Sequence, residues 1–200
     1  MKGESAIKGS VMVNLVSDLV RLREDGRISE EELAVRLAPE DLAILEHDVL
    51  SSTWYPIESY RRMTELLLDK KGGGEDFLRA RGAGSAQRIL DAGIYTTMSG
   101  ILSGPRGRTL DAVERSMRSL VTLIQTILNF GRGEVLHDPE HPKRLVIRIS
   151  EATDYPEVLP FTSEGFFNAC ARAVGSGFSW RSSRPRPDLI LMQMDADFDA

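Results

Sequence analysis

Residues able to do chemistry are few, and their spacing argues against most of it. His137 and His141 in "HDPEH" stand four apart with Asp138 and Glu140 between them, a spacing that serves a metal ion on a helix. Pro139 and Pro142 make the stretch a loop, where such positions do not converge, so no metal site is expected. His47 in "ILEHDV" lies among acidic groups on a helix surface. Cys170 is the one cysteine; it excludes an internal disulfide and a Cys-rich zinc site, and its place in "FFNACARAV" is that of a small core residue. "SGILSGPRG" and "GSGFS" combine serine and glycine without the strand–elbow–helix context of a hydrolase nucleophile. "RGAGSAQ" holds a G-x-G without the third glycine or the preceding strand of a dinucleotide site. A helix starting at Ser85 would still offer free amides to an anion, with Arg79, Arg81 and Arg88 nearby. These four residues form the candidate anion site. Carboxylates are plentiful but unpatterned: "SEEEL" is a helix first turn and "DADFDA" a polar tail. Neither suggests acid–base catalysis, and no catalytic residue is assigned.

The elements that would position these residues are legible from period and punctuation. Val13, Val16, Leu19, Val20 and Leu22 form a helical stripe that Gly26 stops. Ser29 and Glu32 have capping-box spacing, and Pro39 suits the first turn of a short helix with Leu42, Leu45 and Val49 inward. Trp54 and Tyr55, before Pro56, form a compact aromatic cluster at the entry to a helix that buries Ile57, Tyr60, Met63 or Thr64, and Leu67. Three glycines at 72–74 end it. "EDFLRARGAGSAQRILDAGIYTTMSGIL" reads as two helices broken around Gly82–Gly84. A long helix follows over 109–130, whose apolar residues, from Leu110 to Leu128, cover more than one narrow stripe. After Gly131 the period becomes two. "RLVIRIS", "GFSWRSS" and "DLILMQM" are credible strands, "GEVLH" a further one, and "RSSRPRPD" a turn between two of them. The expected fold is α+β: a helical N-terminal two thirds, then a small C-terminal antiparallel sheet crossed by the 161–174 helix. One domain is expected, with a helical part over 1–131, a sheet part over 132–195 and a flexible tail over 196–200.

Hydrophobic residues at 42% and charged residues at 28% place the chain among soluble globular proteins. No signal peptide shows, and no apolar run approaches the roughly 20 residues of a membrane helix, so a cytoplasmic, reducing setting is expected. The net charge of −5 is uneven. Residues 1–60 carry 6 basic and 12 acidic groups, 61–150 carry 15 and 10, and 151–200 carry 4 and 8. Arg106, Arg108, Arg115 and Arg118 are the best nucleic-acid candidates, but they lack the dense, aromatic-interleaved stripe of such a surface, and nucleic acid is not expected.

Four blocks, "IKGSVM", "LAPEDLAIL", "STWYPIESYRRM" and "RARGAGSAQRIL", resemble those of an uncharacterised bacterial paralogous family with K-G, L-P-x-E, W-Y-P and R-x-x-G-x-x-S-A signatures, in the same order. Ala38 stands where that family often continues into proline. The C-terminal third, with Gly165 in "SEGFFNACARAVG" opening a helix before two strands, resembles a broader superfamily of 4-vinyl-reductase-type domains, haem nitric-oxide sensors and transport-particle subunits. That resemblance implies an α+β sensor or interaction domain, often dimeric through helices. It carries over no cofactor. The chain lacks the cysteine cluster of the first group and the Tyr-x-Ser-x-Arg haem motif of the second. Cys170, late in the terminal helix, does not take the role of the acylated cysteine of the third.

The sequence therefore favours a non-enzymatic signalling or regulatory module acting by protein–protein contact. A small apolar ligand would sit between the sheet and the 109–130 helix, lined by Trp54, Tyr55, Phe166, Phe167 and Trp180. The broad apolar face of the same helix suggests a homodimer. An enzyme with a site hidden from motif reading, and a DNA-associated regulator, are the alternatives.

Overall fold

A computed structural model of the protein describes residues 3–91, 109–173 and 177–198. Along them run β1 (Ala6–Lys8), α1 (Gly9–Glu24), α2 (Glu30–Arg36), α3 (Pro39–Glu46), β2 (Trp54–Pro56), α4 (Ile57–Lys71) and α5 (Gly74–Asp91). Then come α6 (Leu110–Gln125), β3 (Arg132–His137), β4 (Leu145–Ser150), α7 (Val158–Ala173), β5 (Trp180–Arg186) and β6 (Leu189–Met194). The fold is α+β, with the helices mostly N-terminal and a four-stranded antiparallel sheet, ordered β3-β4-β6-β5, packed against α6.

Local chemistry explains most element ends. The Ser29 hydroxyl accepts from the Glu32 amide at 3.2 Å and starts α2. Pro39 occupies the first turn of α3, and the Asp41 carboxylate folds back to accept from the Ala38 amide at 2.9 Å. Gly72 and Gly73, with φ of 69° and 86°, take the left-handed conformation that ends α4.

Several expectations need correction, beginning with the long helix, which ends at Gln125 rather than at residue 130. The W-Y-P stretch is first a strand: β2 pairs with β1, placing Ile7 opposite Tyr55 and Lys8 opposite Trp54. The other edge of β1 meets the chain after α6, where Lys8 N–H donates to the Ile127 carbonyl at 2.9 Å and Ala6 N–H to Asn129 Oδ1 at 2.6 Å. The helical break at Gly82–Gly84 is absent, because α5 runs unbroken through both glycines. A Cβ on Gly82 would lie 1.9 Å from the Thr162 carbonyl oxygen, and one on Gly165 1.9 Å from that of Arg79. These two glycines therefore let α5 and α7 cross backbone to backbone, a contact that stabilises the helix rather than ending it. Finally, "RSSRPR" is strand. A register shift between Ser183 and Arg186 accommodates Pro185 on an edge strand, and the turn contracts to Pro187 and Asp188.

Two apolar clusters make the core. One gathers α1, α3, α4 and β1 around Leu15, Leu19, Met63 and Leu67; the other gathers α6, α7 and the sheet around Leu120, Ile147, Phe167 and Trp180. Ile124 and Ile149 border both. The apolar stripe of α6 is used inside the chain, with Val113, Met117, Leu120 and Val121 buried. Asp111, Arg115, Arg118, Ser119, Thr122, Leu123 and Gln125 form its exposed side. On the sheet, one row across the strands runs Val135, Ile147, Met192, Ser182, and the next runs Leu136, Val146, Gln193, Arg181. The first row turns inward and the second outward. At the C-terminus, where a free tail was expected, Arg144 Nε donates to Asp197 at 2.6 Å and the Phe198 ring meets Phe178.

Candidate ligand cavity

A cavity of about 30 Å³ lies between the C-terminal half of α6, strands β3 and β4, and α7. That is room for about two water molecules, or a few small heavy atoms. Val121, Ile124, Leu128, Phe130, Ile147, Ile149 and Phe167 give it apolar walls; Gln125, Tyr155 and Ser163 add the polar groups. Its shape depends on two glycines. Gly131 has φ of 71°, and a Cβ on Gly133 would come within 2.6 Å of Val121 Cγ1. Their lack of side chains lets β3 start beside α6, where Gln125 Nε2 donates to the Gly133 carbonyl at 3.3 Å. Phe130 and Tyr155 meet edge to face, with centroids 5.7 Å apart. Burial pushes the Tyr155 phenol up to about 12, against the opposing hydrogen bond with Ser163, so it enters this wall as a neutral hydroxyl.

Of the five aromatic candidates, Phe167 lines the cavity. Phe166 packs edge to face on Phe167, and Trp180, fully buried, tilts against Phe167 from β5. Trp54 and Tyr55 stand apart, on β2 in the other half of the molecule. Trp54 is 42% exposed with Lys8 Nζ 4.2 Å above its ring, and the Tyr55 hydroxyl accepts from the Leu50 amide at 3.1 Å. The aromatic pair thus braces the β1–β2 corner rather than the cavity.

The candidate anion site does not assemble. Ser85 lies inside α5, where its hydroxyl donates to the Arg81 carbonyl at 3.1 Å and accepts from Arg88 at 2.8 Å. No helix N-terminus exists there to present free amides. Arg81 pairs with Asp18 on α1. Arg79 donates to Glu164 at 2.7 Å and also meets Glu75 and Asp76. Among the nucleic-acid candidates, Arg106 and Arg108 lie outside the described residues, and Arg118 pairs with Glu114 at 2.6 Å.

Sequence reasoning overlooked two buried carboxylates. Glu164, on α7, accepts from Arg79 of α5 and from the amide and hydroxyl of Ser182 on β5, at 3.0 and 2.9 Å. Burial opposes its charge, but these donors outweigh that and hold its carboxyl below the usual range. Asp41 is likewise buried; the Arg62 guanidinium, at 2.5 and 2.9 Å, and the Ala38 amide keep it ionised. The signal was present for Glu164, which falls on the buried stripe of "LPFTSEGFF". Both groups are fully engaged in joining elements. One turn beyond Glu164, Asn168 accepts from Trp180 N–H at 2.6 Å and donates to its carbonyl at 3.1 Å. Together the two side chains occupy the outer N–H and carbonyl of Trp180 and the N–H of Ser182 on edge strand β5.

No protein-family model and no curated protein matches the sequence. Solved structures do match. A mutant of the Fe(II) unliganded H-NOX (haem nitric oxide/oxygen binding) protein from K. algicida superposes with a TM-score of 0.59 at 13% identity, covering 97% of each chain. H-NOX proteins from S. oneidensis and T. tengcongensis each give a TM-score of 0.56 over 96% of this chain, at 13% and 11% identity. They cover 97% and 100% of their own lengths.

Haem is the subject of further matched H-NOX structures, so its fit to this chain can be tested. A haem needs an axial donor aimed into a slot of porphyrin size. His47 and His141 are exposed, and His137, also exposed, approaches Glu114 at 3.1 Å. Among the described residues no three metal-ligating side chains converge. The cavity of about 30 Å³ is far below the roughly 300–1,000 Å³ of pockets for sizeable ligands. The described interior does not fit a haem. What the chain shares with these proteins, across nearly its whole length, is the H-NOX fold.

Proposed function

We propose that the chain is a non-enzymatic cytoplasmic signalling or regulatory module that acts by protein–protein contact, with the α6–sheet cavity as its sensing site. The observation that carries this reading is the whole-chain likeness to H-NOX domains, in a chain whose own described interior offers a small apolar cavity in place of a haem slot. The occupant has to be a small apolar species, because the walls are largely aliphatic and aromatic and the volume admits few heavy atoms. Gln125, Ile147 and Ser163 belong to different elements, so filling the cavity biases how α6, β4 and α7 pack. Among the described residues no helix is long and apolar enough to cross a membrane.

Xenon tests the sensing site. Under xenon pressure the methyl resonances of Val121, Ile147 and Ile149 are expected to shift, while those of Leu15 and Leu19 in the other cluster stay in place. No selective shift would remove the cavity from the proposal. Titration with haemin is expected to give no sharp Soret band, and a stoichiometric one would return the chain to the haem sensors. A homodimer through the long helix keeps little apolar surface to use, since the exposed face of α6 is charged and polar except at Leu123. Light scattering at high concentration is expected to report no dimer that depends on that face.

A further inference from the structure

One side chain ties a wall of the cavity to the surface. Tyr155 stands between β4 and α7, outside any strand or helix, in a turn where its own N–H donates to the Ala152 carbonyl at 2.9 Å. What fixes that turn is Arg184 of β5, which does not line the cavity. Its Nη1 donates to the Tyr155 carbonyl at 2.8 Å and to the Glu157 carboxylate at 2.6 Å. Its Nη2 donates to the carbonyls of Ala152 at 2.7 Å and Pro187 at 2.9 Å, and its Nε to Pro187 at 3.3 Å. A guanidinium has five N–H donors, and all five are used. Four of these bonds end on main-chain carbonyls, so the fork follows the backbone of the turn and not a side-chain rotamer.

The other end of the fork is the tip of the β5–β6 hairpin. Arg184 holds the Pro187 carbonyl, and Ala152 N–H donates to the Asp188 carbonyl at 3.0 Å. Pro185 and Pro187 fix two of the backbone φ angles there. Residues 185–188 are exposed, whereas the Arg184 side chain beneath them is largely buried. Ala152 is therefore bonded to the hairpin through both its N–H and its carbonyl.

We propose that the β5–β6 hairpin is the output surface of the cavity, with Arg184 as the positioning residue that makes the hairpin move with Tyr155. An occupant of so small a cavity touches every wall. The walls on α6, β4 and α7 are held by helical or ladder hydrogen bonds, whereas Phe130 and Tyr155 stand on loops and lean on each other. Displacement falls on that ring pair, and hydrogen bonds through Arg184 pass it to the hairpin. The inference rests on the reading of the cavity as a sensing site.

Nuclear magnetic resonance under xenon pressure tests it. In the parent, the amides of Arg186, Asp188 and Leu189 are expected to shift together with the methyls of Val121, Ile147 and Ile149, while the amides of Leu33 and Val35 on α2 stay in place. In Arg184→Lys the cavity methyls are expected to keep their shifts, which also shows that the variant is folded, and the hairpin shifts are expected to be lost. A lysine carries its donors on one nitrogen and cannot span the three carbonyls. In Glu157→Gln, which leaves the main-chain bonds intact, the hairpin shifts are expected to remain. Cavity methyls that move in the parent without the hairpin would overturn this proposal and spare the sensing site. Hairpin shifts that survive in Arg184→Lys would overturn it too, since the route would then be the ladder from Ile149 to Ile190. Cavity methyls that do not respond in the parent would remove the sensing site and this inference with it.

Discussion

Tyr155 keeps its proton far into alkaline solution, and stability should register it. In the unfolded chain a tyrosine ionises near pH 10, whereas burial holds native Tyr155 to about 12. Below pH 10 both states carry the proton and the full contribution is present. As pH rises from about 10 towards the native value, the unfolded state alone loses it, and stability falls by about 3 kcal/mol. Tyr60, also raised by burial, adds to the same fall. Urea midpoints compared at about pH 8 and pH 11 should show a smaller loss in Tyr155→Phe than in the parent. Glu164 acts at the other end of the scale. Its carboxyl is held low, so its contribution is present above the ordinary carboxylate range and disappears as pH falls through the native value. Glu164→Gln is expected to cost about 1–3 kcal/mol at neutral pH and progressively less as acid protonates the native carboxyl, measured by the same melts. Neither residue announces itself by type. A tyrosine or glutamate is read as buried only when three elements that meet on it are known.

Among elements, the α5–α7 crossing shows where local reading succeeds and where it stops. Capping serines, helical stripes and the alternation of Leu145, Ile147 and Ile149 are written in neighbouring residues, and the structure has them where the sequence places them. Gly82 and Gly84 look alike in sequence but differ in space. Gly82 faces the Thr162 carbonyl at a distance no Cβ tolerates, whereas Gly84 meets nothing closer than the Arg88 side chain at 3.7 Å. Gly165→Ala, which collides with the Arg79 carbonyl, is expected to destabilise by about 1–3 kcal/mol. Gly84→Ala is expected to stabilise by about 0.5–1 kcal/mol, through helix propensity alone. Thermal melts of the two variants should move in opposite directions. Strands β1 and β2 were illegible for a related reason. Each is three residues long, and their pairing spans 47 or more positions of chain, from Lys8 to Trp54 and beyond, so no local period reveals them.

For the whole molecule, the α+β class followed from the change of period after Gly131. The site did not follow, because the cavity borrows its walls from α6, β3, β4, α7 and the loops between them. Aromatic residues attracted attention in the sequence as large apolar groups. The cavity instead depends on where side chains are missing, at Gly131 and Gly133, and on aliphatic residues that look like any core. Trp54 shows the converse: a conspicuous residue whose ring supports a lysine at a corner. A cavity-filling substitution, Ile147→Phe, is expected to abolish the xenon-induced shifts at Val121 and Ile149, with overpacking costing about 1–3 kcal/mol. Retention of those shifts would place the xenon elsewhere.

Asn168 and Glu164, in holding the outer backbone groups of Trp180 and Ser182, also bear on how copies of this protein meet one another. A sheet grows into a fibre by adding strands at its edges, and each edge with free amides is a place to add one. Here one edge is closed from within by two side chains of a neighbouring helix. Growth of the four-stranded sheet through β5 would first have to displace those contacts. Concentrated stocks should stay dispersed through long storage, and Asn168→Ala should be the change that shortens their shelf life.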